Sequence, residues 1–128
     1  MSQLRTGIIL HNPVVACGAP ITGTATWSGN DRGRDVVAIL YLRTEGRGDL
    51  DSRLLAEARL GQATVGEANF SLLIPAEGPV TYHGSLLRVM WYVALAVPPK
   101  GVPPRAGKNP SEVTISVVPW GWYPPAPG

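Results

Sequence analysis

FSLLIPAEGPVTYHGSLLRVMWYVALAV, residues 70–97, joins a short alternating strand, a Pro/Gly turn and a long alternating strand. In the last of these, Leu87, Val89, Trp91, Val93, Leu95 and Val97 fall on one face. An apolar residue at every second position marks a strand with one side on a core. The stretch predicts an all-β chain, built as a single β-sandwich of about seven antiparallel strands.

Outward from this stretch the same grammar repeats. Thirteen prolines and fifteen glycines break the chain at short intervals, the pattern of a sandwich or barrel. Strands are expected over residues 4–10, 20–27, 36–45, 53–60, 68–74, 85–97 and 112–118. In the second, Ile21, Ala25 and Trp27 oppose Thr22, Thr24 and Thr26, a half-buried arrangement. The third is apolar on both faces. The fourth, SRLLAEARL from Ser52, contains good helix formers behind a capping serine. Its alternation, broken only at Leu55, and the all-β setting favour a strand.

Residues 98–110, PPKGVPPRAGKNP, hold five prolines and read as a loop. The last ten residues, PWGWYPPAPG, carry two Trp, one Tyr and four Pro. The expected organisation is one domain over residues 1–118 followed by a Pro/aromatic tail over 119–128. No internal repeat and no second domain are evident.

At 128 residues and 45% hydrophobic content the chain can bury a core without staples. A net charge of +2, with charges interspersed, gives no footprint for nucleic acid or an anionic membrane. Cys17 is the one cysteine, so no intrachain disulfide framework is implied. The first fifteen residues lack the long apolar stretch of a signal peptide or membrane span. The expected location is the cytoplasm.

Three motifs resemble the arrestin family. VVACGAPITGTATW, residues 14–27, is similar to the family's turn leading into "I/V-x-G-x-V", through Gly18, Ile21 and Gly23. Residues 70–75 and 79–84, FSLLIP and PVTYHG, resemble "F-x-L-P … P-S-Y-x-G". Residues 89–97, VMWYVALAV, resemble "V-x-Y/W-x-V-x-A-x-V". The resemblance covers roughly residues 8–118. It implies an immunoglobulin-like, arrestin-like sandwich acting as an adaptor for other proteins. Arrestins generally pair two such sandwiches where one is expected here, and their polar core and receptor-binding loops cannot be placed on this sequence residue by residue.

Chemistry is sparse. Cys17 with His11 or His83 would be the one nucleophile and base combination, yet no motif surrounds it, and a free cysteine before a strand is ordinarily a small buried hydrophobe. Two histidines and one cysteine fall short of a metal site. The loop over residues 45–53 offers Glu45, Asp49 and Asp51 as oxygen donors for a cation, but Arg43, Arg47 and Arg53 offset their charge, and a solvated hairpin explains it equally. The Arg47-Gly48-Asp49 triplet matches an adhesion motif, a coincidence in a chain without an export signal. Dinucleotide, P-loop and hydrolase-elbow motifs are absent. The chain is expected to be no enzyme, with no catalytic, cofactor or metal residues.

The sharper clues are surfaces. With Val36, Ala38, Leu40 and Leu42 on the core, Val37, Ile39 and Tyr41 face outward, joined by Met90 and Tyr92. Apolar residues on a nominally wet face call for a cover: the chain's own loops or tail, a second subunit, or a partner. Trp120, Trp122 and Tyr123 are expected to act as a clasp, because burying one large aromatic is worth roughly 1.5–3 kcal/mol. The expected function is a non-enzymatic protein-interaction module, an adaptor or assembly piece. It would bind a protein partner or a second copy as a homodimer, through an edge strand or the outer face. The alternative is a lectin-like or small-ligand-binding sandwich using the 45–53 loop and exposed aromatics.

Overall fold

A computed structural model describes residues 5–46, 49–77, 79–84, 87–106 and 109–119. Its elements are all strands: β1 (Arg5–Leu10), β2 (Val14–Ala16), β3 (Pro20–Gly46), β4 (Asp49–Leu73), β5 (Tyr82–His83), β6 (Leu87–Ala96) and β7 (Ser111–Val118). The all-β expectation holds, but the chain is divided differently. The strands expected at 20–27 and 36–45 are two halves of β3. Those expected at 53–60 and 68–74 belong to β4, including the segment with helix formers. β2 and β5, three and two residues long, are too short to show alternation in sequence.

β3 runs for 27 residues and β4 for 25, far beyond the roughly five or six of an ordinary strand. They form one antiparallel hairpin that bends where the register shifts, between Ser28 and Asp31 and again between Asp31 and Asp35. The polar run 28–35, SGNDRGRD, reads as a loop in sequence. The bulged ladder nevertheless carries through it, because bulges bend a strand without ending it. Gly33 sits in this bend at φ 93°, a conformation open to glycine at little cost. Two more bulges lie on β4. Ala56 opposes Leu40 and Leu54 opposes Tyr41, leaving Leu55 as the extra residue. The alternation breaks at Leu55 for that reason. Leu60 is extra in the same way, between Gly61 opposite Val36 and Arg59 opposite Val37.

The strand order is β1-β3-β6-β7-β2, with β4 also on β3 and β5 also on β6. The first half of β3 lies between β1 and residues 65–73 of β4. Its second half lies between residues 49–59 of β4 and β6. One expectation is corrected here: β2 and β7 run parallel. They are far apart in sequence, so no tight hairpin dictates their direction. Cys17 N donates to Val118 O at 2.9 Å and Ser116 N to Pro13 O at 2.8 Å, tying the pair together. Gly18, at φ 84°, then turns the chain from β2 into β3, and Ala19 N closes the turn on Ala16 O.

Both halves of the long hairpin face one core. Ile21, Ala25 and Trp27 meet Val36, Ala38, Leu40 and Leu42, with Phe70 and Leu72 from β4, Trp91, Val93 and Leu95 from β6, and Ile115 and Val117 from β7. The sheet curls around these side chains. Both buried indoles keep a hydrogen-bond partner, as buried tryptophan requires. Trp27 Nε1 donates to Gln62 O at 2.8 Å and Trp91 Nε1 to Pro79 O at 3.0 Å. Gly66 makes room for the first, since a Cβ there would lie 2.5 Å from Trp27 Cζ2.

Candidate functional site: the outer face of β3 and β6 and the edge of β4

The period-2 partition of β3 and β6 is observed. Val36, Ala38, Leu40 and Leu42 belong to the main core, and Val37, Ile39 and Tyr41 lie on the opposite face with Ala94 and Ala96. That face is not free. Ile39 and Tyr41 have no exposed surface, and Val37 and Met90 are buried too, while Tyr92 is half-buried. Leu54, Tyr92 and Ala106 pack against the cluster. Ala106 belongs to the proline-rich segment 98–110; it packs on the face, while most of the segment's described residues are exposed. The outer stripe, expected to need a cover, is thus a second, smaller core. Trp120, Trp122 and Tyr123, the expected clasp, lie outside the described residues.

The polar chemistry of this face centres on Tyr41. Its ring stacks on Tyr92, directly opposite in the ladder, and its hydroxyl donates to Glu112 Oε2 on β7. Burial first, and the Glu112 carboxylate second, push the phenol's pKa well above its ordinary value. Arg43, two residues on and on the same face, sets its guanidinium carbon 5.1 Å from the Tyr92 ring centre and 6.0 Å from that of Tyr41. This is the range of a cation–π contact. Arg43 Nε is shielded from solvent and has no hydrogen-bond partner. Sequence reasoning weighed Arg43 only as an offset to the 45–53 acids. Its place two residues after Tyr41 was the available signal that both share a face.

Between this face and the proline segment lies a groove of about 780 Å³, walled by Arg43, Leu50 and Ser52 on the sheet side and by Val97, Val102 and the surrounding prolines opposite. Among the acidic residues beside it, Glu45 faces Arg88 at 3.8 Å, and the side chain of Asp49 lies outside the described ones. Among the described residues no group of three His, Cys, Asp or Glu side chains could hold a metal ion. Arg47 and Gly48 of the adhesion-like triplet lie outside the described residues. Cys17 is buried in the main core, and His11 is instead on the outer side of β3, its ring nitrogens 3.1 and 3.3 Å from the hydroxyls of Thr22 and Thr24. His11 therefore turns away from Cys17.

A second feature is the edge of β4. Among the described residues this strand pairs only with β3. Over residues 65–73 its register is unbroken, and Val65 and Leu73 are 77% and 62% exposed. Ile74 N donates to Ala19 O. Antiparallel N–H groups alternate in direction, so the even residues 66–72 also bond to β3. The N–H groups of Val65, Glu67, Asn69, Ser71 and Leu73 then point away from the sheet. Other edges are more closed: the β1 side chain Thr6 bonds Ser111 at the start of β7, and β2 is three residues long.

The described elements are all strands, and the comparisons with solved structures bear on that fold. The chain is similar to Spo0M, a sporulation control protein from Bacillus subtilis, with a TM-score of 0.55 and 16% identity, covering 89% of this chain and 49% of that one. Looser likenesses are to an alkylpurine DNA glycosylase from Pseudomonas fluorescens (TM-score 0.44, 10% identity, 90% of this chain and 30% of that one) and a β-glucosidase from Listeria innocua (0.48, 15%, 91% and 16%). The chain thus spans about half the length of Spo0M and less of the other two. No family model matches the chain, and no curated protein matches it in sequence. Among the described residues, no helix is long and apolar enough to cross a membrane.

Proposed function

We propose that this chain is an arrestin-like β-sandwich that serves as a non-enzymatic protein-interaction module in the cytoplasm, binding an extended segment of a partner along β4. The likeness to Spo0M supports the fold half of this reading, together with the three motifs at residues 14–27, 70–84 and 89–97. The bend of the β3–β4 hairpin, whose two halves face one core, supports it too.

The single observation behind the binding half is the regular edge at residues 65–73, unpaired among the described residues. An added strand there would meet five outward N–H groups and two exposed apolar side chains, Val65 and Leu73, at its ends. Main-chain bonds would supply affinity and the flanking side chains specificity. Of the two surfaces expected from sequence, the outer face of β3 and β6 is covered, so the edge is preferred.

The test is selection of random displayed peptides on the immobilised chain and on a Ser71→Pro variant. Proline deletes one outward N–H and is tolerated at a sheet edge. Enrichment of extended apolar peptides on the parent alone supports the edge. Equal enrichment on both moves the site elsewhere, and no enrichment on either retires the interaction reading.

A further inference from the structure

The groove beneath the proline segment carries a site distinct from the β4 edge. Its volume, about 780 Å³, lies within the roughly 300–1,000 Å³ of small-molecule sites. Its walls are mainly apolar: Val97, Val102 and prolines 98, 99, 103 and 104 on one side, Leu50 and Ala96 on the other. Proline walls are conformationally prepaid, so ordering them around a ligand costs little entropy.

The electrostatics of the groove are one-sided. Arg43 and Arg105 line it, and no Asp or Glu is among its described lining residues. The whole segment 98–110 carries Lys100, Arg105 and Lys108 and no acid. Arg43 is the telling residue. Its guanidinium lies over two tyrosine rings, its Nε is desolvated without an acceptor, and the described salt bridges do not include it. Arg43 as a whole is half-buried, and its shielded, unpartnered Nε leaves the guanidinium short of an acceptor that an anion would supply. The planar fork of an arginine suits a carboxylate in bidentate contact. Glu45 does not compensate it, being turned to Arg88, and Glu112 is engaged by Tyr41.

We infer that this groove binds a small amphipathic carboxylate, its head group on Arg43 and its apolar body along Val102 and the prolines. The rings of Tyr41 and Tyr92 hold the guanidinium in place from below. Arg105 stands as a second cation on the opposite wall, which favours a head group of full negative charge.

The probe pair is decanoate and decanol, titrated into the full chain below their aggregation limits and followed by calorimetry and by amide shifts in NMR. The expected result is saturable binding of decanoate, at least tenfold tighter than decanol, with shifts at Ala96, Val97, Val102 and Ala106. Arg43→Gln is expected to abolish that preference, while Arg43→Lys keeps part of it. Equal affinity for decanol, absence of saturable decanoate binding, or shifts away from the groove would each overturn the inference. The decanol comparison uses the unmodified chain, so it decides the matter even if the Arg43 variants fold poorly. A dimer in light scattering that decanoate dissolves would give the groove to a second copy and overturn the inference as well.

Discussion

Tyr41 and Tyr92 stack across the β3–β6 ladder with ring centres 5.1 Å apart and planes 21° from parallel. They are direct register partners, and such aromatic pairs add roughly 0.5–1.5 kcal/mol beyond their buried area. The contact joins the outer cluster to Glu112 on one side and Arg43 on the other, so a change at Tyr41 is felt by both.

Tyr41→Phe keeps the stack and deletes the donor to Glu112. Because Glu112 is at the surface and can rehydrate, the expected cost at neutral pH is only about 1 kcal/mol in urea unfolding. The alkaline limb separates the two proteins further. The folded state holds the Tyr41 proton above the ordinary phenol value of 10.0, so its contribution is complete below that pH and is lost as the pH rises beyond it. Urea midpoints measured up to about pH 11 should fall more steeply for the parent than for Tyr41→Phe. Parallel falls would remove the Tyr41 proton from the account.

Gly66→Ala places a methyl 2.5 Å from Trp27 Cζ2 and 2.8 Å from Cε2. The indole must shift, and with it the Nε1 bond to Gln62 O. Overpacking of this kind costs about 1–3 kcal/mol. Val65→Ala, one residue away but on the exposed side, should stay within about 0.5 kcal/mol of the parent. Equal effects in chemical denaturation would mean that Trp27 does not lie against Gly66.

The faces of β3 and β6 were legible because a strand's period is two and each side chain declares its side. Alternation alone puts Trp27, Trp91 and Leu40 on the core side. What covers the other face was not legible. Ala106 and the prolines around it have no period, and the packing of Ala106 on the cluster of Val37, Ile39 and Tyr41 is made across the fold. The length of β3 was hidden for a related reason: residues 28–35 have loop composition, and only the partner strand alongside keeps them in the ladder. The break at Leu55 was visible but ambiguous, since one extra residue in a strand and one turn of helix disturb alternation alike. The choice of β4 as the open edge needed the whole strand order.

Asp35 and Arg59 lie on neighbouring strands across the β3–β4 hairpin, joined by contacts of 2.8 and 3.0 Å. The hydrogen bond from Arg59 pulls the Asp35 carboxyl below its ordinary value of 3.8. Its contribution is present above that value and lost as the pH falls below it. Both groups are largely in solvent, so screening leaves little for global stability. In Arg59→Gln, the carboxyl resonance of Asp35 should titrate at the ordinary value while the urea midpoint at neutral pH stays put. An unmoved titration would show that the pair does not persist in solution.

The outward direction of the odd-numbered N–H groups of β4 can be tested by proline alone. Ser71→Pro removes an N–H that faces away from β3, at an exposed position, and asks mainly for a modest change in φ. Ala68→Pro removes an N–H that the alternation from Ile74 N→Ala19 O aims at Ala25, its register partner. It leaves a carbonyl on β3 without its donor inside a three-stranded ladder, and proline is excluded from such positions. The side chains involved are small, so the contrast isolates the backbone. Ser71→Pro is expected to fold, with a urea midpoint close to the parent's, and Ala68→Pro to unfold or lose at least about 3 kcal/mol. The reverse order would place the free N–H row on the even residues. A partner strand would then have to bond to Gly66, Ala68, Phe70 and Leu72, and Ser71→Pro would no longer block it.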